Sequence, residues 1–396
     1  MNLKQVKGAT KLLWRLKMAG KIKNLPIPTL VGDTGIGKST ILQNILEEET
    51  GILLSDVEDS PKDSKVDKKA KEARKDTADA NYLEFLFLAQ MEVGDLIGMP
   101  DKKDDKTVWL APDWFPNKNA KGLLVLDELG DSDTMTRKAI MPLLLTGELH
   151  SHKLPKDVML VCAMNPIGGN FGGVGFTKQF QDRLMFWKIN PSVEEWLIFA
   201  EKRGLAKYVK SMIAEQPSFF EDKNDSNIGW STSTLYDGMP SRRSVTVATE
   251  VLEAMTDAEV KDYGVELLTS IVGPVAAGAM LTYKAMKIEE VMNAADLFKD
   301  TSKMLTKIDT WLQNDEVAKV SAFLRLVKAY LANTKSIKDY SVPAVGKLIA
   351  ILPEDMIAAM LFFIKNEITY HFELLVTLGE NPEIFDKLEA VMPRGH

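Results

Sequence analysis

Nine consecutive residues, Gly32-Asp33-Thr34-Gly35-Ile36-Gly37-Lys38-Ser39-Thr40, have the types and spacing needed to hold a string of phosphates. Their order matches G-x-x-x-x-G-K-[ST], in which the glycines let the backbone curl until successive N–H groups point inward at phosphate oxygens. Lys38 can reach the β- and γ-oxygens, and the Ser39 hydroxyl can take one position on a Mg²⁺ ion. A second cluster, Asp127-Glu128, ends the apolar run Leu123-Leu124-Val125-Leu126. There Asp127 suits a Mg²⁺ ion held through its water shell, and Glu128 suits polarisation of an attacking water. A third candidate, Asn165, stands before Pro166 at the end of another apolar run, where its amide could orient that water. Lysine, hydroxyl, acidic pair and amide together predict cleavage of a nucleoside triphosphate, not binding alone.

Each group needs an element to place it. The short apolar run from Ile27 to Val31 suits a buried strand leading into the glycine turn, and Ser39 to Glu48 suits the helix that opens from it. Further buried strands are expected at Leu83–Leu88, Leu123–Leu126, Val158–Ala163 and Leu184–Ile189, with a helix over Thr134–Leu145. Strands alternating with helices predict an α/β unit with a parallel sheet. After Pro191 the pattern turns helical, notably at Glu194–Lys202, Ser244–Thr256, Ala258–Ile271 and most of Ile288–Met392.

Composition narrows the function classes. A length of 396 residues calls for two or three units, and 45% apolar with 27% charged residues is globular, not disordered. A net charge of −7 argues against whole-molecule attraction to nucleic acid or anionic lipid. The one cysteine, Cys162, excludes an intrachain disulfide and reads as an inert core thiol. The run from Ile271 to Tyr283 is too short to span a bilayer, and the first residues lack a secretory pattern. A cytoplasmic, reducing location without membrane attachment is therefore expected. The first 24 residues are basic, with no carboxylate before Asp33, and read as an amphipathic arm that docks on the body or on a neighbouring subunit. A mixed-charge tract at 56–79 reads as a solvated insertion.

Over residues 27–260 the order of these motifs resembles the AAA+ ATPases, in particular their MoxR-like, dynein-related branch. Besides the phosphate loop and acidic strand, the likeness includes Val93-Gly94-Asp95-Leu96-Ile97-Gly98-Met99-Pro100, Asn165-Pro166 as sensor 1, and Phe180-Gln181-Asp182-Arg183-Leu184 as an arginine-finger segment. Pro191-Ser192-Val193-Glu194-Glu195-Trp196 is similar to the lead into the family's lid, and Ser241-Arg242-Arg243-Ser244 to its sensor 2. The resemblance implies an α/β P-loop NTPase domain followed by an all-α lid and a helical extension. The corresponding divisions are an arm at 1–25, a nucleotide-binding domain at 26–192 with an insertion at 56–80, a lid at 193–282 and an extension at 283–396. It also implies a homo-oligomeric ring, usually a hexamer, that uses ATP and Mg²⁺ to remodel or mature a protein client, with von Willebrand factor A-type proteins as common family partners. Arg183 would then enter the neighbouring subunit's site, while Arg243 would sense the γ-phosphate in its own, with Arg242 competing for that role. A nucleic-acid motor or restriction-type NTPase is the alternative, favoured by the basic arm and opposed by the low global charge.

The chain departs from the family pattern in places. Leu129-Gly130-Asp131-Ser132 follows Glu128 where relatives often show Asn-Arg, Leu184 replaces a phenylalanine, and Pro142 should kink its helix. By resemblance, the Gly147–Lys156 hairpin and the Met99–Trp114 loop would line the ring's pore, with Trp109 and Trp114 as contacts to a threaded partner. His150-x-His152 reads as a hairpin tip, not a metal pair, and the glycine-rich 168–175 as a flexible connector.

Overall fold

Alternation of apolar side chains builds one sheet with two covered faces. In the computed structural model, residues 1–22, 25–50, 82–166, 176–221, 238–286 and 291–391 are described. The charged tract at 56–80 and the glycine-rich 168–175 lie outside these residues. The chain divides into two compact units, Met1–Pro191 and Ser192–His396.

In the first unit, helix α1 (Leu3–Met18) precedes strand β1 (Ile27–Val31) and helix α2 (Lys38–Thr50). Strand β2 (Tyr82–Phe87) and short helix α3 (Val93–Ile97) lead to a hairpin of β3 (Met99–Lys103) and β4 (Lys106–Leu110). Then come β5 (Gly122–Asp127), α4 (Thr134–Thr146), a small hairpin of β6 (Glu148–Leu149) and β7 (His152–Lys153), and β8 (Val158–Met164). Helix α5 (Lys178–Gln181) and β9 (Leu184–Lys188) complete the unit. Five strands form a sheet in the order β2-β5-β8-β1-β9, and every neighbouring pair is parallel.

The period-2 alternation of strand side chains separates two cores. Leu124, Leu126, Leu160 and Cys162 face one side, beneath Ile140, Leu143 and Leu144 of α4. Leu123, Val125, Met159 and Val161 face the other, against α1 and α2 through Val6, Trp14, Ile41, Leu42, Ile45 and Leu46. Strands covered on both faces must be apolar throughout, which is why β5 and β8 are buried along their whole length. Helix α4 starts on an Asp133 cap that accepts from the Thr136 amide, runs on through Pro142, and stops at Gly147 in the left-handed conformation. Pro142 therefore does not end the helix.

The basic arm is a docked helix. A capping box between Asn2 and Gln5 starts α1, and Val6, Thr10 and Trp14, four residues apart, are its buried stripe. Lys7 and Lys11 both pair with Glu48 of α2, and Lys17 donates to the Val158 carbonyl at 2.6 Å. Burial opposes ionisation of the Glu48 carboxyl, but hydrogen bonds from Lys11 and Lys7 outweigh it and hold the carboxyl below its ordinary range.

The second unit is helical. It contains α6 (Val193–Lys202), α7 (Lys207–Glu215), α8 (Ser218–Glu221), α9 (Arg242–Ala254), α10 (Asp257–Val272) and α11 (Pro274–Ala285). These are followed by α12 (Ala295–Lys299), α13 (Thr301–Gln313), α14 (Val317–Ala332), α15 (Val342–Ile351), α16 (Glu354–Glu367), α17 (His371–Gly379) and α18 (Pro382–Val391). One core cluster runs from Val193 to Leu388. Helix α14 is its centre: Val320, Phe323, Val327 and Leu331 are fully buried, and α14 packs on both α6 and α7. Among the described residues no helix is long and apolar enough to cross a membrane.

Candidate functional site

Parallel pairing brings the carboxyl ends of the strands to one edge of the sheet, and the chemical groups gather there. Strand β1 ends at Val31 and enters the glycine turn, where Gly35 and Gly37 take φ of 77° and 94°. Only glycine adopts these angles without strain, so the curl rests on these two positions. Helix α2 opens at Lys38 directly from the turn. Lys38 Nζ donates to the carbonyls of Gly32 (2.6 Å) and Asp33 (3.0 Å) and to Asn165 Oδ1 (3.1 Å). The Ser39 hydroxyl donates to Asp127 Oδ2 at 3.2 Å. Although β1 and β5 are not neighbours, Ser39 lies on the helix that follows β1 and meets Asp127 at the end of β5.

Asn165 stands at the tip of that middle strand and joins the two sides. Its Oδ1 accepts from Lys38 and, at 3.3 Å, from the Thr34 hydroxyl, while its Nδ2 donates to Asp131 Oδ2 at 3.2 Å. Glu128 follows with φ of 56°, a conformation that costs a non-glycine residue about 1 kcal/mol or more. The turn sends Leu129 back into the core and leaves the half-buried Glu128 side chain at the site's edge, where Gln90 Nε2 lies 3.5 Å from Oε2. Asp127 Oδ1 accepts from the Glu128 amide at 2.8 Å, so one carboxylate oxygen braces the turn and the other meets Ser39.

The Ser39 hydroxyl and the Asp127 carboxylate are hard oxygen donors on adjacent elements. Such a pair suits Mg²⁺, which keeps several waters and takes substrate phosphate as further ligands. Among the described residues no group of three or more His, Cys, Asp or Glu side chains forms an all-protein metal cage.

This arrangement has a strand, a glycine turn with two left-handed glycines, a helix opening on lysine and serine, and an acidic strand two places away in a parallel sheet. The α/β unit has the P-loop NTPase fold. The helical unit follows it in the chain.

Comparison with known proteins adds little. No family model matches the chain, and no curated protein does. Among solved structures the chain is similar to a full-length MCM homolog from Methanopyrus kandleri, at 14% identity and a TM-score of 0.28, over 72% of this chain and 56% of that one. It is similar to C. elegans PCH-2 at 13% identity and a TM-score of 0.28, over 71% of this chain and 67% of that one. The chain thus spans little more than half of the MCM homolog. At these scores neither likeness assigns an activity or a partner to the P-loop protein.

Arg183 and Arg243 are both exposed. Arg183 is exposed and precedes β9; its carbonyl accepts from the Ile27 amide at 2.8 Å. It therefore sits at the amino edge of the sheet, across the five residues of β1 from the glycine turn, about 17 Å away at ~3.3 Å per residue. That span exceeds the reach of its side chain to its own P-loop. Arg243 is exposed in the first turn of α9. Its rival Arg242 donates to the Ser192 carbonyl at 3.2 Å and lies 5.2 Å over the Phe220 ring, both within the helical unit.

The proposed pore contacts divide. Trp114 is a core residue, 6% exposed, with its indole N–H donating to the Asp95 carbonyl at 3.0 Å, so packing and not partner contact accounts for it. Trp109 is half-buried and joins the two hairpins: its ring stacks on His150 at 4.1 Å, and its carbonyl lies 2.7 Å from His152 Nε2. Both histidines of the His150-x-His152 pair are thus engaged with one tryptophan. Gln90 and Arg137, which sequence motifs did not single out, also reach the site or its loop. For Gln90 the signal was its place just past a strand end, useful only once the sheet order is known.

Cys162 lies mid-strand, fully buried, opposite Thr29. Burial pushes its thiol up, against a hydrogen bond with Thr29 and together with the nearby Asp127 charge. Since the thiolate is the reactive form, an aromatic disulfide reagent should label no thiol in the native protein over minutes and one thiol per chain in guanidinium. Rapid native labelling would contradict this burial.

Proposed function

We propose that this protein is a Mg²⁺-dependent ATPase of the AAA+ class, in the MoxR-like branch, working as a homo-oligomeric ring that remodels or matures a protein client. The observation that carries the reading is the pair of hydrogen bonds, Lys38 to Asn165 and Ser39 to Asp127, that brings the glycine turn and its helix to the ends of β8 and β5, with Glu128 next in the chain.

In this reading the amides of Gly32–Thr40 and the Lys38 ammonium hold the phosphates, and Ser39 and Asp127 hold the metal ion. When bound, Mg²⁺ neutralises phosphate charge that develops during transfer to water. Glu128 accepts the proton of the attacking water, and Asn165 orients that water. Arg183, too far from its own P-loop, serves a neighbour's site, which makes the ring a requirement of catalysis. Arg243, exposed where Arg242 is engaged, is the sensor 2 residue. A von Willebrand factor A-type client rests on the family resemblance alone.

The nucleic-acid alternative loses ground because Lys7, Lys11 and Lys17 of the basic arm are engaged with the body of the protein. The test is phosphate release from ATP by the whole chain, with and without Mg²⁺. Turnover should require the metal and cease with a chelator. ATP bound but never cleaved would overturn the reading, and turnover stimulated by DNA in a steeply salt-dependent way would favour the alternative.

A further inference from the structure

Against the loop after the acidic pair lies a buried cation with no place in the scheme above. Arg137 lies in the first turn of α4 and is 6% exposed. A guanidinium removed from water needs bonded partners, and two of those of Arg137 come from one short stretch. Its Nη2 donates to the Gly130 carbonyl at 2.8 Å and its Nε to the Ser132 hydroxyl at 3.2 Å. Ser132 in turn donates to the Leu129 carbonyl at 2.8 Å, and the Phe176 ring lies 4.9 Å from the guanidinium carbon. The fork therefore spans residues 130 and 132 and holds Asp131 between them.

Asp131 faces the nucleotide site. Its carboxylate can only accept, and it takes the Nδ2 hydrogen of Asn165. With the amide reversed, Nδ2 would oppose the Lys38 ammonium and Oδ1 would oppose Asp131, two repulsive contacts in place of two hydrogen bonds. Asp131 and Lys38 together therefore set which way Asn165 points. The same loop begins at Glu128, whose left-handed backbone persists only where its surroundings hold it.

We propose that Arg137 is a positioning residue for the reaction: it locks the 129–132 loop in the conformation that presents Asp131 to Asn165, and so fixes Asn165 relative to Glu128. The proposal rests on the ATPase reading and names the device that aligns its two water-handling groups. It also accounts for the departure from the family pattern at Leu129-Gly130-Asp131-Ser132: Gly130 and Ser132 provide the acceptors for the fork, and Asp131 provides the acceptor for the amide.

The decisive variant is Arg137→Lys, which keeps the charge and loses the two-pronged geometry. In the full-length protein kcat should fall ~10- to 100-fold, the scale expected of a misplaced catalytic group, while KM and equilibrium affinity for ATP stay within about twofold. Amide exchange should quicken across residues 128–133 and remain slow in β8. Asp131→Asn should lower kcat on a similar scale without quickening exchange. The double variant should lose no more than the worse single, because both act through Asn165.

An active wild type with unchanged kcat in Arg137→Lys overturns the proposal alone. So does a loss of ATP affinity matching the loss of kcat, or multiplicative losses in the double variant. A wild type that binds ATP and releases no phosphate overturns the ATPase reading, and the proposal with it.

Discussion

Glu128→Gln should bind ATP as tightly as the unaltered protein and release phosphate ~10²- to 10⁴-fold more slowly, the range for loss of a positioned general base. The substitution keeps the length and shape of the side chain and removes only its ability to accept a proton. None of the groups assigned to the phosphates or the metal is altered: Lys38 keeps its bond to Asn165, and Ser39 its bond to Asp127. A decrease of this size, at about 1.4 kcal/mol per tenfold, is a barrier increase of roughly 3–6 kcal/mol with no matching loss in binding. The pair of measurements is equilibrium binding of ATP and single-turnover phosphate release. Wild-type turnover in the variant would remove Glu128 from the reaction. Equal losses in binding and turnover would point to a distorted site. If the reading holds, the ATP-loaded variant also becomes a trap for the client, recoverable by pull-down.

Arg183→Ala should lower turnover ~10³- to 10⁵-fold, the range for a group that neutralises transition-state charge from outside the subunit, and the loss should be repairable in mixed rings. The argument is geometric. Register between β1 and β9 puts Leu184 beside Ile27 at the start of both strands, so Arg183 lies at the amino edge while the P-loop opens from the carboxyl edge. No rotamer spans a sheet of that depth. A Lys38→Ala subunit has a crippled P-loop and an intact Arg183; an Arg183→Ala subunit has the reverse. Each is inactive alone, and a mixture should regain turnover wherever a Lys38→Ala subunit offers its arginine to an intact P-loop. Differential tagging confirms that the two assemble together. Co-assembly without any recovered activity would disprove action in trans, and full activity in Arg183→Ala would remove the residue from catalysis altogether.

The same logic separates what could be read from the chain alone. The phosphate-binding turn was legible because its signal is local: the left-handed backbone at Gly35 and Gly37 and the helix opening at Lys38 are decided within a few residues. The strands were legible too, since burial on both faces requires the unbroken apolar runs seen at 123–126 and 158–163. Asp127 and Glu128 could be recognised at a strand end, but nothing nearby in the chain said which strands would be neighbours.

Tertiary structure decided the rest. Arg137 has the sequence setting of an ordinary surface arginine in a polar first turn, yet it is buried against the loop that precedes its own helix. Trp114 could have been a contact residue and is instead packed, with its N–H satisfied by Asp95. Asn165 finds Thr34 from 131 positions away because β8 lies beside β1, and Gln90 reaches Glu128 because β2 lies beside β5. The amino-acid sequence by itself therefore determined the elements and the chemistry carried on each, since dihedral preference and hydrophobic period act over a few residues. Which groups meet was decided only when both faces of the sheet were covered, because that order of strands depends on burying the whole unit at once.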